Sequence, residues 1–289
     1  LKRYEEGRKI YEKLILLNPN ISDAYNNLGN CLINLNKYIE AIENFNKSIE
    51  LNPKNFVAIA NLANAQKEIY KFEDAIINYK KSLNLNNNYL LAYNNLANSY
   101  HELGRYKDAV ENYKEVLAIN RNYKFVFGRL IHSQMYLCNW EDFNENIDLL
   151  ISGLKNKDKI CAPFVALNSI DSPELQKVCS EINTIDKVGS INSEILKNKN
   201  YKKKKYKVGY FSPDFRNHPV LHLIQDVFKY HDKSKFEIYA FSFEPQKNDE
   251  MTDKIKGYFT KFIEVKTMSN EDICNYCRKE DLDIAIDLC

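Results

Sequence analysis

A helical solenoid followed by an incomplete α/β lobe is the fold class this sequence predicts. Three observations carry the prediction. Residues recur at a 34-residue step through the first half: Leu28, Leu62, Leu96 and Leu130 hold one phase, and Ala41, Ala75 and Ala109 another. After residue 206, short β-branched and aromatic runs alternate with amphipathic stretches. Gly and Pro number only 8 and 7 in 289 residues, too few for a sandwich or barrel full of tight turns.

One unit shows why the step is 34. Tyr25, Leu28, Gly29 and Leu32 form an i, i+3, i+4, i+7 stripe on a first helix. Tyr38, Ala41, Ile42, Phe45 and Ile49 form a matching stripe on a second helix. The polar stretch Asn34-Leu35-Asn36-Lys37 separates them. Small Gly29 and Ala41 let the pair approach, and Phe45, with Tyr79 and Tyr113 at the same phase, fills space that one pair cannot cover. Such a unit buries its apolar face only against a neighbour, so the units stack. The register resembles the tetratricopeptide repeat. Full units are expected at 22–55, 56–89 and 90–123. Residues 1–21 match the second helix of an earlier unit, so the chain is expected to begin partway along a longer array. Residues 124–157 read as a degenerate final unit, with Leu130 and Trp140 in phase and Phe143 replacing the small alanine. The array as a whole occupies 1–157.

The 37 asparagines are not placed at random. Asn27, Asn61 and Asn95 share one phase, and Asn30, Asn64 and Asn98 share the phase three residues later, so each pair faces one side of a first helix. First helices line the concave face of such a stack, which predicts a ladder of amides along a groove. An amide offers donors and an acceptor, and so can clasp an extended peptide backbone without reading its side chains. The rows break at Arg129 and His132. In an Asn-rich chain the same rows are also what a merely solvated polar face would show.

Residues 158–205 read as a helical and linker region. Ser172 before Pro173 has the chemistry of an N-cap with Pro at the first helical position. The run Lys202-Lys203-Lys204-Lys205 has the charge of a patch for nucleic acid or an anionic surface, and reads better as solvated linker ahead of a strand. From 206 to 289 four strands are expected, at 207–212, 236–243, 262–265 and 282–288, with helices at 219–230 and 247–256 and a third opened by the capping pair Ser269 and Asp272. Strands that alternate with helices predict a parallel sheet, and ligands bind such sheets at the carboxyl ends of the strands.

The first of those ends is Ser212-Pro213-Asp214-Phe215-Arg216-Asn217-His218-Pro219-Val220-Leu221-His222. Pro219 suits the first helical position, which puts His218 at the helix entry and His222 one turn on. The positive end of a helix favours a neutral imidazole, fit to accept a proton or donate a hydrogen bond near pH 7. By itself the pair is equally what a structural histidine pair at a helix start would look like.

Tetratricopeptide repeats followed by this segment, by Phe236-Glu237-Ile238-Tyr239 and by Asp281-Leu282-Asp283-Ile284-Ala285-Ile286-Asp287-Leu288 resemble the O-GlcNAc transferase and SPINDLY family over essentially the whole chain. The resemblance implies a glycosyltransferase of GT-B type, here the repeat superhelix and part of the first Rossmann-like lobe. It implies inverting, metal-independent transfer of GlcNAc from UDP-GlcNAc, the co-substrate, to Ser or Thr of intracellular proteins, with no other cofactor. GDP-fucose as donor and a non-catalytic peptide-binding scaffold are the alternatives. It implies that His218 lines the acceptor side of the active site, that His222 orients the loop, and that Asn27, Asn30, Asn61, Asn64, Asn95 and Asn98 dock acceptor proteins. Leu221 stands where many members carry a small residue. The chain ends before the second lobe, which in the family holds the nucleotide, so this stretch alone is expected to be inactive and to bind UDP weakly.

Other chemistries are excluded. A net charge of +2 does not suit a dedicated nucleic-acid binder. No apolar run approaches the ~18 residues that span a bilayer. Seven scattered cysteines show no disulfide framework and predict a cytoplasmic protein. Cys274 and Cys277 form a CxxC without the second pair a zinc site needs. No phosphate-binding glycine loop exists. Asp283 and Asp287 bracket the last strand, and Asp287 stands at its carboxyl end.

Overall fold

The structure, a computed structural model, describes residues 2–189, 204–244, 249–268 and 270–288. Lys202, Lys203, Ser269 and the first residues of the helix predicted from 247 fall outside these. The chain forms two compact units, Leu1–Ser193 and Glu194–Cys289, each described by itself.

The first unit is a stack of helix pairs. A single helix α1 (Lys2–Leu17) precedes α2 (Ser22–Asn34) with α3 (Tyr38–Leu51), α4 (Phe56–Glu68) with α5 (Phe72–Leu85), and α6 (Leu90–Glu102) with α7 (Tyr106–Ile119). Within each pair the ring at the Phe45 phase is fully buried, as are Ala41, Ala75 and Ala109. A Cβ on Gly29 would lie 2.6 Å from the Phe45 ring, so Phe45 packs directly on the backbone of α2. Consecutive first helices touch one another more closely than consecutive second helices do, which puts the first helices on the inside of the curve.

Two local devices repeat with the same step. Each first helix is followed by a left-handed residue: Asn36, Tyr70, Gly104 and Cys138, with φ between 51° and 71°. Each second helix is followed by an Asx turn, in which Asn18, Asn52, Asn86 and Asn120 accept from the amide two residues on. A further row of asparagines is thereby explained by chain reversal.

The fourth pair departs from the pattern. α8 (Val126–Tyr136) is followed by α9 (Phe143–Lys155), which starts three residues after the in-phase Trp140. Trp140 is half exposed and meets Phe143 edge-on at 5.1 Å. Phe143 is too large for the alanine niche, so the first turn of this helix does not form against α8. Two further helices, α10 (Pro163–Ser169) and α11 (Pro173–Val188), extend the stack, and their Cys161–Cys179 region shares a core with Ile131, Leu150 and Leu154. Ser172 caps α11 by accepting from the Leu175 amide.

The second unit is a parallel four-stranded sheet. It contains β1 (Tyr206–Ser212), α12 (Pro219–Tyr230), β2 (Phe236–Ser242), α13 (Glu250–Lys256), β3 (Lys261–Glu264), α14 (Asn270–Lys279) and β4 (Ile284–Asp287). The strand order is β3-β2-β1-β4, all parallel. α12 and α13 cover one face through Leu221, Phe228 and Ile255, with Phe215 from the loop after β1 in the same layer. α14 covers the other through Ile273 and Tyr276 on Tyr239 and Phe241. Leu221 is buried in the first of these layers, where a small residue would leave a void. The chain runs outward from β1 to β3 and then crosses to the far side of β1. That reversal is the switch point at which an open sheet forms its crevice.

Candidate functional site

The loop after β1 sits at that switch point, beside the carboxyl end of β4, where Phe211 pairs with Asp287. It is held from below and from the side. Phe215 is buried and packs edge-on against Phe259 at 5.6 Å and Phe262 at 5.7 Å. Asp249, at the N-cap of α13, accepts from the Asn217 amide at 2.7 Å. The Thr252 hydroxyl lies 2.7 Å from both Asp249 Oδ2 and the Phe215 carbonyl and shares its one proton between them. The Thr252 hydrogen bond, joined by those of the Asn217 and Met251 amides, holds the Asp249 carboxyl below its usual range. Neither Asp249 nor Thr252 was marked as a site residue by the sequence. Their only sequence signal is the Asp-x-x-Thr spacing of a helix start, and the loop they tie lies more than thirty residues away.

His218 is the N-cap residue of α12. Its Nδ1 lies 3.3 Å from the Val220 amide and 3.5 Å from Asp214 Oδ2. With the proton on Nε2 the ring caps the helix. With the proton on Nδ1 the ring faces the carboxylate and Nε2 is left as an acceptor. Asp214 is itself fixed: its amide donates to Ser212 Oγ at 3.0 Å, and its Oδ1 accepts from Arg216 at 3.2 Å. The ring keeps 36% of its surface exposed, enough to meet a substrate while its orientation stays set from beneath. His222 Nε2 lies 2.8 Å from Asn217 Oδ1, so this histidine braces the loop residue next to His218. Asp283 does not face this site: its carboxylate accepts from the Lys207 amide at the opposite end of the sheet.

The asparagine rows lie in the first unit and hydrogen-bond across repeats. Asn61 donates to Asn26 at 3.0 Å, Asn95 to Asn64 at 2.8 Å, and Arg129 to Asn94 at 3.0 Å. Asn26 and Asn94, one residue before the predicted rows, are therefore members of the network. Tyr79 and Tyr113 add hydroxyl bonds to Asn64 and Asn98 at 2.6 and 2.7 Å. Burial pushes both phenols well above their usual range. Phe45 stands at the same phase without a hydroxyl, and the Asn30 amide makes no hydrogen bond among the described residues. The predicted ladder is thus partly consumed by its own bonds, and its most open rungs are Asn30 and the donor sides of Asn27 and Asn98.

No group of three or more His, Cys, Asp or Glu side chains suited to a metal ion occurs among the described residues, and no helix there is long and apolar enough to cross a membrane.

Residues 137–288 match the family model described as glycosyl transferase family 41. Residues 22–55, 91–123 and 44–77 match tetratricopeptide-repeat models. The probable UDP-N-acetylglucosamine–peptide N-acetylglucosaminyltransferase SEC of Arabidopsis thaliana is 31% identical over 85 residues, which are 29% of this chain and 9% of that protein. Among solved structures, a mutant of the Thermobaculum terrenum O-GlcNAc transferase aligns with a TM-score of 0.56 at 16% identity, over 92% of this chain and 45% of that one. The structure of MamA aligns with a TM-score of 0.50 at 19% identity, over 53% of this chain and 90% of that one. At these identities the structural likeness speaks for the fold alone. The chain spans less than half of the transferase structure and a small part of the plant relative.

Proposed function

Because the chain belongs to glycosyl transferase family 41, we propose that it serves the transfer of GlcNAc from UDP-GlcNAc to Ser or Thr hydroxyls of acceptor proteins. The observation that carries the reading is His218, fixed by Asp214 and by the α12 entry at the switch point of the sheet. In the reaction the acceptor oxygen attacks the anomeric carbon, the bond from that carbon to the phosphate oxygen breaks, and UDP leaves with the electron pair. The hydroxyl proton needs a destination. His218 lines the acceptor side, and its Nε2 is available to that proton when Nδ1–H faces Asp214. His222 keeps the loop in place through Asn217. Transfer is inverting and needs no metal. The amide rows hold the acceptor as an extended chain, and Asn27, Asn30 and Asn98 offer it the most open groups.

The test is transfer by the complete gene product to acceptor protein, read by mass spectrometry of modified Ser and Thr. We expect N-acetylhexosamine from UDP-GlcNAc. Deoxyhexose from GDP-fucose instead would replace the donor, and no transfer from either with peptide binding intact would leave a scaffold.

A further inference from the structure

At the fourth unit the amide rows continue as Arg129 and His132. Both side chains line a cavity of about 480 Å³ within the first unit, walled by Tyr70, Phe72, His101 and Phe164. The His101 and His132 rings stack at 5.4 Å, and Phe164 stands edge-on to His132 at 5.8 Å. Ser133 Oγ fixes His101 by a 2.9 Å bond to Nδ1. Burial lowers the proton affinity of both imidazoles, so this wall is uncharged near pH 7.

Arg129 and Lys67 are the half-buried cations of this cavity, and Lys67 is already paired with Glu68. Arg129 Nη1 donates to Asn94, and among the described residues no carboxylate forms an ion pair with Arg129. Two glutamates stand at the rim, both exposed: Glu68 is paired with Lys67 at 3.2 Å, and Glu102 forms no ion pair with Arg129. A guanidinium carries five donors in a rigid fork that matches a carboxylate. Removed partly from water and hydrogen-bonded to an amide, it has no ion pair to offset its desolvation. Aromatic walls beside it suit the methylene groups of a side chain.

We infer that the cavity at Arg129 selects an acidic side chain, Asp or Glu, in the polypeptide that the amide rows hold. The inference rests on the acceptor reading above and adds a chemical preference to it. The first three units treat the guest as backbone, and the fourth reads one residue of it.

Three fluorescein-labelled peptides of Ser, Thr, Val and Pro, identical except for a central Glu, Gln or Lys, test this by anisotropy with the whole chain. Each peptide is free to slide until its central residue meets Arg129. The Glu peptide is expected to bind about tenfold tighter than the Gln peptide, the scale of a charge-assisted hydrogen bond, and the Lys peptide weakest. The Glu preference should shrink with added salt, a readout that needs no variant. Arg129→Gln, which keeps a donor for Asn94, should bring Glu and Gln together, and Arg129→Lys should keep part of the difference. Equal binding of the Glu and Gln peptides by the unaltered chain overturns the inference while leaving groove docking intact. A folded chain that binds none of the three overturns both.

Discussion

His218 caps a helix and faces a carboxylate with the same ring nitrogen, so its two roles can be separated by substitution. Asn is among the best N-cap residues, whereas Ala at an N-cap costs about 1 kcal/mol. His218→Asn should therefore keep the melting temperature of the parent while losing transfer by at least about 100-fold, the lower range for a positioned acid or base. His218→Ala should lose both. Melting curves and initial rates on the complete enzyme decide it, and a His218→Asn variant with near-normal rate would reduce the histidine to a cap. The imidazole was legible in sequence because Pro219 fixes the helix start and therefore the place of His218. Its support was not. Asp249 and Thr252 reach the loop across the top of the sheet, and no spacing along the chain encodes that contact.

At the scale of the helix pair, the repeat is readable because burial imposes the same small and aromatic residues at the same phase in each unit. The amide rows were legible as rows, but not as bonds. Whether an Asn side chain meets a guest or the next repeat depends on how far successive first helices are rotated, and the step of 34 does not contain that rotation. The late start of α9 was hidden for a similar reason: Trp140 keeps phase in sequence while Phe143 prevents the turn from packing. The bonds change what the rows predict. Asn61 is 9% exposed and connects Asn26 with Asn64. Asn61→Ala should destabilise the stack by about 1–3 kcal/mol, because a buried amide is left unpaired. Asn30→Ala removes an amide with no internal partner, so it should leave stability unchanged and weaken acceptor binding several-fold. Urea unfolding together with peptide anisotropy separates the two. If Asn30→Ala changes neither, the open rungs do not touch the guest.

For the molecule as a whole, acid should act on both units through histidines before it acts through carboxylates. Burial lowers the pKa of His101 and His132 in the first unit and of His231 in the second, where His231 Nε2 meets the Tyr210 hydroxyl at 2.7 Å. In the unfolded chain these rings titrate near 6.5. Between that value and their lower folded values, the unfolded state holds more protons than the folded state. Stability therefore rises with pH across this window. It is fully present above pH 6.5 and is lost as the solution is acidified toward the folded values. The carboxylates act later. Side-chain hydrogen bonds lower Asp186 (from Lys159 and Lys124), Asp249 (from Thr252) and Glu280 (from Lys261). Their contribution is present above ordinary carboxylate values and disappears only as pH falls through the lowered ones. Thermal melts from pH 8 downward should show a first decline beginning just below 6.5 and a second below 4.5. Replacing His101, His132 and His231 together by Gln should flatten the first decline and leave the second. His101 and His132 lie in one unit and His231 in the other, so the single replacement His231→Gln should flatten only the second unit's share, read by hydrogen exchange of the β1 and β2 amides. A first decline that survives the triple replacement would mean that these rings are not held neutral by the fold.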